Sequence, residues 1–355
     1  MKLVVKKYKY LAVFSVIIIA FSGFYIGGKW TFFLPLYAFF LVPFLELFFN
    51  GNSENLSKIN ESIFKESLFF DLIVYAVVPT QWVLLFYYLY VVSYESISSF
   101  ELIGMTLSMG ISCGVLGINV AHELGHRSTK YEQLFSKILL LSSFYMHFFI
   151  EHNRGHHAKV ATMEDPATSR RNEMVYVFCF RSVFQGYLSA WKLESFKLQK
   201  MKKPTISLSN EMLLFQIIQL LLILFIYFIF SLKAVFLFLC VATIGILLLE
   251  TVNYIEHYGL LRKHNGDNFK KVMPVHSWNS NHPIGRILLF ELSRHSDHHF
   301  KSNRKYQTLR SFEHSPQMPT GYPGMILMSL IPPLWFYIMN KKLDLLKARE
   351  SELLD

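Results

Sequence analysis

Nine of the fourteen histidines in this sequence fall in four places: His122 and His126; His152, His156 and His157; His257; and His295, His298 and His299. Residues three and four apart share one face of an α-helix, so the H-x3-H, H-x3-HH and H-x2-HH groups each present their imidazoles to one point. Imidazole suits Fe, Zn, Cu or Ni, and nine ring nitrogens exceed what one ion can bind, so two metal ions sharing one site is the simplest reading. Neutral ligands alone, unlike the glutamates of carboxylate-rich metal bundles, leave the higher oxidation states of such a centre poorly neutralised. The chemistry expected of it is strong oxidation. Glu123, Glu151, Glu256 and Asp297 stand beside these histidines in the chain and are expected either to accept hydrogen bonds from imidazole N–H groups or to be solvated helix-end residues. His147, His264 and His314 lie outside the motifs and are expected to be structural.

The elements that must position these groups are membrane helices. Of the 355 residues, 52% are hydrophobic and only 17% charged, against roughly 25% charged in soluble domains. Mean hydropathy is +0.32. A bilayer core needs about 20 apolar residues per helical span, and the sequence predicts six, near 10 to 27, 31 to 49, 70 to 92, 100 to 121, 212 to 230 and 234 to 256. The basic opening followed by an apolar run has no small-residue cleavage site behind it, so it reads as a retained first helix. The run from Ile138 to Ile150 is too short to cross and is expected to enter one leaflet or pack against the bundle. A stretch near 321 to 339, interrupted by Pro332 and Pro333, is expected to be an interfacial or covering segment. The expected fold class is all-α: one polytopic domain over 1–355, with histidine-bearing blocks at about 122 to 211 and 257 to 355.

The formal charge of +10 is read as cytoplasmic loops, not as a nucleic-acid surface. With both termini cytoplasmic, the outward loops near 28 to 30, 93 to 99 and 231 to 233 hold only Lys29 and Lys233 of the 35 basic residues. This topology puts all four histidine places at one, cytoplasmic, membrane face. Cys113, Cys179 and Cys240 lie far apart in apolar surroundings and suggest neither disulfides nor a thiolate site.

The segments AHELGHR (121–127), EHNRGHHAKVATMEDPATSR (151–170), NYIEHYGLLR (253–262) and LSRHSDHH (292–299) resemble the four signatures of the integral-membrane alkane 1-monooxygenases, close to the xylene monooxygenase membrane subunit. The HYG-containing motif and the EDPATSR tail are the more specific; membrane desaturases and sterol or fatty-acid hydroxylases share the histidine boxes. The resemblance implies a cytoplasmic cap with a non-haem di-iron centre whose ligands are the nine motif histidines. It implies O2-dependent hydroxylation of an unactivated C–H bond in a hydrophobic substrate, an alkane or an alkylarene, in a bacterial-type inner membrane. Ser293 departs from the pattern, standing where alkane hydroxylases commonly carry Gln. HSWNS at 276–280 is also family-like, with His276 and His282 expected to be structural or to support the ligands.

No flavin fingerprint, dinucleotide motif or four-cysteine iron site occurs, so electrons must come from a partner protein, a rubredoxin or ferredoxin type with its reductase. Basic clusters at Lys197, Lys200, Lys202 and Lys203, and at Lys301, Arg304 and Lys305, would contact membrane lipid headgroups or steer that donor. Gly104, Gly110, Gly114 and Gly117 in the fourth span would allow close helix packing or leave a narrow apolar passage to the metals. The rival readings are an alkylarene side-chain hydroxylase, an acyl-lipid desaturase and, from another class, a metal transporter. Transport sites require ionisable residues at mid-membrane, and the predicted spans almost lack them.

Overall fold

The computed structural model describes residues 7–265 and 268–352. Six helices are long and apolar enough to cross a membrane: Lys9–Ile26, Gly28–Glu46, Leu68–Tyr94, Ser99–Gly125, Glu211–Ile229 and Leu232–His257. Each lies within a few residues of a predicted span. Their ends are set by local chemistry. Ser98 and Glu101 form a reciprocal capping box that starts the fourth span, while the side chains of Asn210 and Ser231 accept from Leu213 N and Ala234 N to start the fifth and sixth.

The spans differ in how much of their surface the protein itself covers. The most apolar window of the fourth span is 72% buried, whereas that of the fifth is 28% buried. The fourth is therefore the central helix and the fifth is largely left for lipid. Three of its glycines permit the close packing: a Cβ at Gly104, Gly110 or Gly117 would come within 2.3 to 2.5 Å of Thr31, Ile244 or Ser143.

Beyond the spans lies a cap of shorter helices. The run from Ile138 to Ile150 forms the end of helix Lys130–Ser142, a turn with Phe144 at φ 52°, and the start of Phe148–Glu151, all packed on the bundle. A 26-residue helix, Val175–Lys200, occupies the first histidine-bearing block. Helix Tyr322–Ser329 ends before the double proline, and a new helix, Pro332–Glu352, begins on it. Proline at the first helical position gives up an N–H that has no intrahelical acceptor anyway, so the pair separates two helices instead of kinking one. Among the described residues, extended structure is limited to an antiparallel pairing of His264–Asn265 with Asn268–Phe269 and one bridge between Asn279 and Gln317.

Two apolar cores result. The larger joins the spans; the smaller packs the end of the sixth span, from Val252 to Leu260, against Trp278, Tyr322 and Trp335 of the cap. The histidine motifs sit between the two: Ala121, Leu124 and Ile150 beside the first and second motifs belong to the larger core, and Ile255, Tyr258 and Leu292 beside the third and fourth to the smaller.

Candidate metal centre

The nine motif histidines converge into two adjoining groups, one of His122, His126, His152, His157 and His298 and one of His156, His257, His295 and His299, with the ligand atoms of each group within 4.8 Å of one another. The sequence expectation that each motif addresses one point is modified here, because the second and fourth motifs divide between the groups. In the second motif the backbone explains the split. Residues 152–156 form a π-helical turn closed by the His157 N–H on the His152 carbonyl. An i→i+5 bulge brings residue i+5 back beneath i, so His157 Nε2 meets His152 Nε2 at 3.0 Å while His156 turns to the other group. A second π-helical turn, Cys113–Ile118, lies just before His122 in the fourth span.

The nitrogens face one another. His122 and His298 approach at 2.9 Å, His126 and His152 at 3.1 Å, and His157 and His298 at 3.1 Å, all through Nε2. In the second group His156 meets His299 and His257 meets His295, both at 3.2 Å. With metal–nitrogen bonds of about 2.1 Å, two nitrogens at a right angle lie about 3.0 Å apart. Converging Nε2 atoms at this spacing are what a shared cation requires, so the donor set fits two ions. Burial first, and then neighbouring imidazoles, hold most of the rings neutral: His126 is lowered to about 3, and His152, His157, His295, His298 and His299 fall well below the usual histidine value. Neutral imidazole is the ligating form.

His156 differs. Burial lowers its pKa, but the Asp165 charge and a 2.9 Å contact from Nδ1 to Asp165 Oδ2 outweigh that and leave it raised. Asp165 belongs to the EDPATSR segment, and its carboxylate also accepts from Thr168 Oγ1 at 2.6 Å and Ala167 N at 3.1 Å. It was not among the carboxylates expected from sequence; nine residues separate it from His156, and the motif resemblance was the only signal pointing to it.

The four expected carboxylates have different surroundings. Glu256 Oε1 lies 3.2 Å from His295 Nδ1 and accepts Tyr322 Oη at 2.6 Å. Glu123 binds Arg127 at 2.6 and 3.0 Å and accepts Tyr306 N, within a buried network that reaches Asp71 and Lys305. Asp297 accepts Arg310 N at 2.8 Å and pairs with Arg304 at 3.3 Å. Glu151 sits behind His152 with Glu250 and His147; burial and then the charge of Asp165 push its carboxyl up to about 8.

Several motif residues are structural supports. After His257 the chain must turn through a left-handed residue, Gly259 at φ 70°, where a Cβ would lie 2.4 Å from Leu343. Trp278 Nε1 donates to Tyr258 O at 2.9 Å and Ser296 N to Asn279 Oδ1 at 2.9 Å, so HSWNS ties the third motif to the fourth. Ser293 Oγ donates to Ser280 O at 2.9 Å in the same junction. His276 Nδ1 accepts Met273 N, and His282 Nδ1 lies 3.0 Å from Ser280 Oγ; both hold loop turns outside the two groups. His147 is buried with Nε2 unpartnered and lowered to about 4 by burial. The His264 side chain lies outside the described residues.

A cavity of about 80 Å³, lined almost wholly by carbon, lies between the first, second, fourth and sixth spans; Val16, Ala38, Gly114 and Leu248 form its walls. It shares Asn119, Leu249, Val252 and Leu292 with a smaller space whose floor is His122, His152 and His295, one end of the histidine groups. Of Gly104, Gly110, Gly114 and Gly117, only Gly114 lines this route.

Comparison with known proteins agrees with the geometry. The fatty acid desaturase family model matches residues 99–328. The chain is 35% identical to alkane 1-monooxygenase 2 of Alcanivorax borkumensis over 96% of its length and 91% of that protein, and 38% identical to alkane 1-monooxygenase of Pseudomonas putida over 85% of its length and 75% of that protein. Similarity to the xylene/toluene monooxygenase hydroxylase component XylM of Pseudomonas putida is 28% over 68% of the chain and 64% of that protein.

Proposed function

The chain belongs to the alkane 1-monooxygenases, and on that premise we propose that it is a membrane di-iron enzyme hydroxylating the terminal carbon of an n-alkane with O2. The observation that carries this reading is an apolar cavity in the bundle that shares four wall residues with a space floored by histidines of both groups. Two irons, one held by His122, His126, His152, His157 and His298 and the other by His156, His257, His295 and His299, would supply the oxidising power needed to open an unactivated C–H bond.

The chain's own residues do the rest. The carbon-lined walls take up a hydrocarbon without desolvating any polar group, and their narrowness keeps water from the reaction site. Asn119, at the junction of cavity and floor, has its amide donated to Leu289 O at 3.1 Å, so it does not compete for an apolar ligand. Asp165 orients His156 from behind through a hydrogen bond to Nδ1, fixing which ring nitrogen faces inward, and Glu256 lies 3.2 Å from His295 Nδ1. Higher identity to the alkane enzymes than to the xylene relative favours alkane over alkylarene.

The whole chain acts as one membrane-embedded unit, with both termini and the histidine groups on the cytoplasmic side of a bacterial plasma membrane, a reading that the distribution of basic residues supports. Electrons come from a small acidic carrier of rubredoxin or ferredoxin type. Lys200, Lys202 and Lys203 are exposed, Lys200 over the Phe196 ring, and would steer such a partner, whereas Lys305 and Arg304 are committed to Asp71 and to Asp297 with Glu61.

The test is gas chromatography of products from membranes containing the chain, supplied with O2, a rubredoxin system and a mixture of octane, hexadecane and xylene. Terminal alkanol that disappears in His257→Ala is the expected result. Methylbenzyl alcohol alone would move the substrate to the arene branch, and a double bond in an acyl chain would make the protein a desaturase.

A further inference from the structure

Easily oxidised side chains are unevenly distributed in the protein. Among the described residues, the smaller core beside the histidines has seventeen buried members, nine of which are Tyr, Trp, Met or Cys; the larger core has forty-five, of which nine are. The smaller core also holds two fully buried tryptophans, Trp278 and Trp335, and the larger holds none. The Trp335 indole N–H is buried without a hydrogen-bond partner, a cost that phenylalanine at the same place would avoid.

The arrangement is directional. Tyr322 is buried, and its hydroxyl donates at 2.6 Å to Glu256 Oε1, the same oxygen that lies 3.2 Å from His295 Nδ1. One carboxyl oxygen therefore lies between a phenol and a histidine of the second group. In the same core Tyr254, Tyr258 and Trp335 form a triangle with ring centroids 5.1 to 5.5 Å apart. The triangle leads outward. The Tyr258 hydroxyl donates to Asn340 Oδ1 at 3.0 Å, and Asn340 is joined to Asn172 at the exposed surface.

We infer that Tyr322 and the Tyr254, Tyr258 and Trp335 triangle form a one-electron exit that drains oxidising power from the metal centre when no substrate C–H bond is in place. The inference rests on the di-iron reading above. In the first step Tyr322 is oxidised: one electron reduces the metal centre, the phenolic proton passes to Glu256, and a neutral tyrosyl remains. An electron from the triangle then reduces that tyrosyl, and Glu256 returns the proton. The vacancy settles on buried Tyr258, whose phenolic proton leaves past Asn340 and Asn172 to water at the surface. A soluble reductant of the thiol or ascorbate class restores Tyr258 by giving it one electron and one proton. Without this route the same oxidising power would attack His257, His295 or the neighbouring Met318, Met325 and Met339.

The test uses iron-loaded full-length protein in membranes, reduced and exposed to O2 without hydrocarbon, comparing wild type with Tyr322→Phe and Trp335→Phe. Freeze-quench electron paramagnetic resonance should show a tyrosyl signal in wild type that is absent in Tyr322→Phe and longer-lived in Trp335→Phe. Peptide mass spectrometry should show single-oxygen adducts on the His257, His295 and methionine peptides rising several-fold per O2 consumed in both variants. Trp335→Phe leaves the Glu256 contacts intact, so damage in that variant is not explained by a displaced ligand. A wild type that hydroxylates octane but shows no tyrosyl signal, or equal damage in wild type and Trp335→Phe, overturns the exit and leaves the hydroxylase standing. A wild type that takes up no iron or consumes no O2 overturns both.

Discussion

The two histidine groups are built alike in their inner nitrogens and differently behind them. In the group of four, all members are buried, and two imidazoles are backed by carboxylates: His156 by Asp165 and His295 by Glu256. In the group of five, His126 and His157 are only half-buried, and the nearby carboxylate Glu123 is turned to Arg127. The first arrangement holds His156 by charge and hydrogen bond and sets a carboxyl group 3.2 Å from His295, and the second relies on number and on neighbouring imidazoles. A site with one spare ligand tolerates loss better than a site with four ligands held tightly.

The largest effect should come from removing a ligand in each group. His257→Ala leaves three imidazoles in the smaller group, and iron per chain should fall by about half with all hydroxylation lost. His126→Ala leaves four in the larger, and most of its iron should remain after dialysis. Metal analysis by mass spectrometry on both purified variants decides this. Equal losses would show that the groups act as one cage.

The carboxylates are the next test. Asp165→Asn keeps size and removes the charge behind His156, and Glu256→Gln replaces the carboxyl group that faces His295; each should weaken metal retention by about 10- to 100-fold, measured by competition with a chelator. Glu123→Gln should instead lower thermal stability through the Arg127 and Asp71 network and change metal affinity much less. A Glu123→Gln variant that loses iron as readily as Asp165→Asn would erase the distinction drawn between the groups.

How much of this was legible in the sequence follows from the range of each interaction. Span positions depend on runs of about 20 apolar residues, so all six could be read locally. Histidine spacing likewise marked the nine residues that converge. The division of His152 and His157 from His156 could not be read, because it depends on a π-helical turn that an α-helical spacing rule does not contain. Asp165 was hidden for another reason: it reaches His156 through a tight, irregular turn braced by Thr168, and no periodicity encodes such a contact. Helix Val175–Lys200 was passed over within a polar block because its charged residues mask a long helical pattern from any hydropathy window.

A smaller effect is expected where the groups meet. The space floored by His122, His152 and His295 is reached past Gly114, where even a Cβ would lie 3.1 Å from Leu248. Gly114→Leu should therefore cut alkane hydroxylation by about tenfold while iron content stays at the wild-type level, since a displaced substrate loses its alignment with the reacting centre. Product yield per iron measures this. Unchanged yield would move the substrate route away from the fourth span and leave the comparison of the groups untouched.

The smallest effect is a proton count. Metal binding requires neutral imidazole, so any proton held by a ligand in the empty protein must leave on binding. In the larger group His126 is lowered to about 3, and His152, His157 and His298 are also lowered, so at pH 7 these rings have already lost their protons and release none. In the smaller group His156 is raised, because Asp165 outweighs the burial that opposes it. It therefore keeps a proton to higher pH, and filling this group should release up to about one proton per chain near neutrality. The release should fade as pH rises through the raised pKa and disappear in Asp165→Asn, which leaves burial to lower His156 like its neighbours. Calorimetric titration of the metal-free protein in buffers of different ionisation enthalpy reads this directly. A release unchanged in Asp165→Asn would place the proton on another group and remove the electrostatic half of the contrast between the two sites.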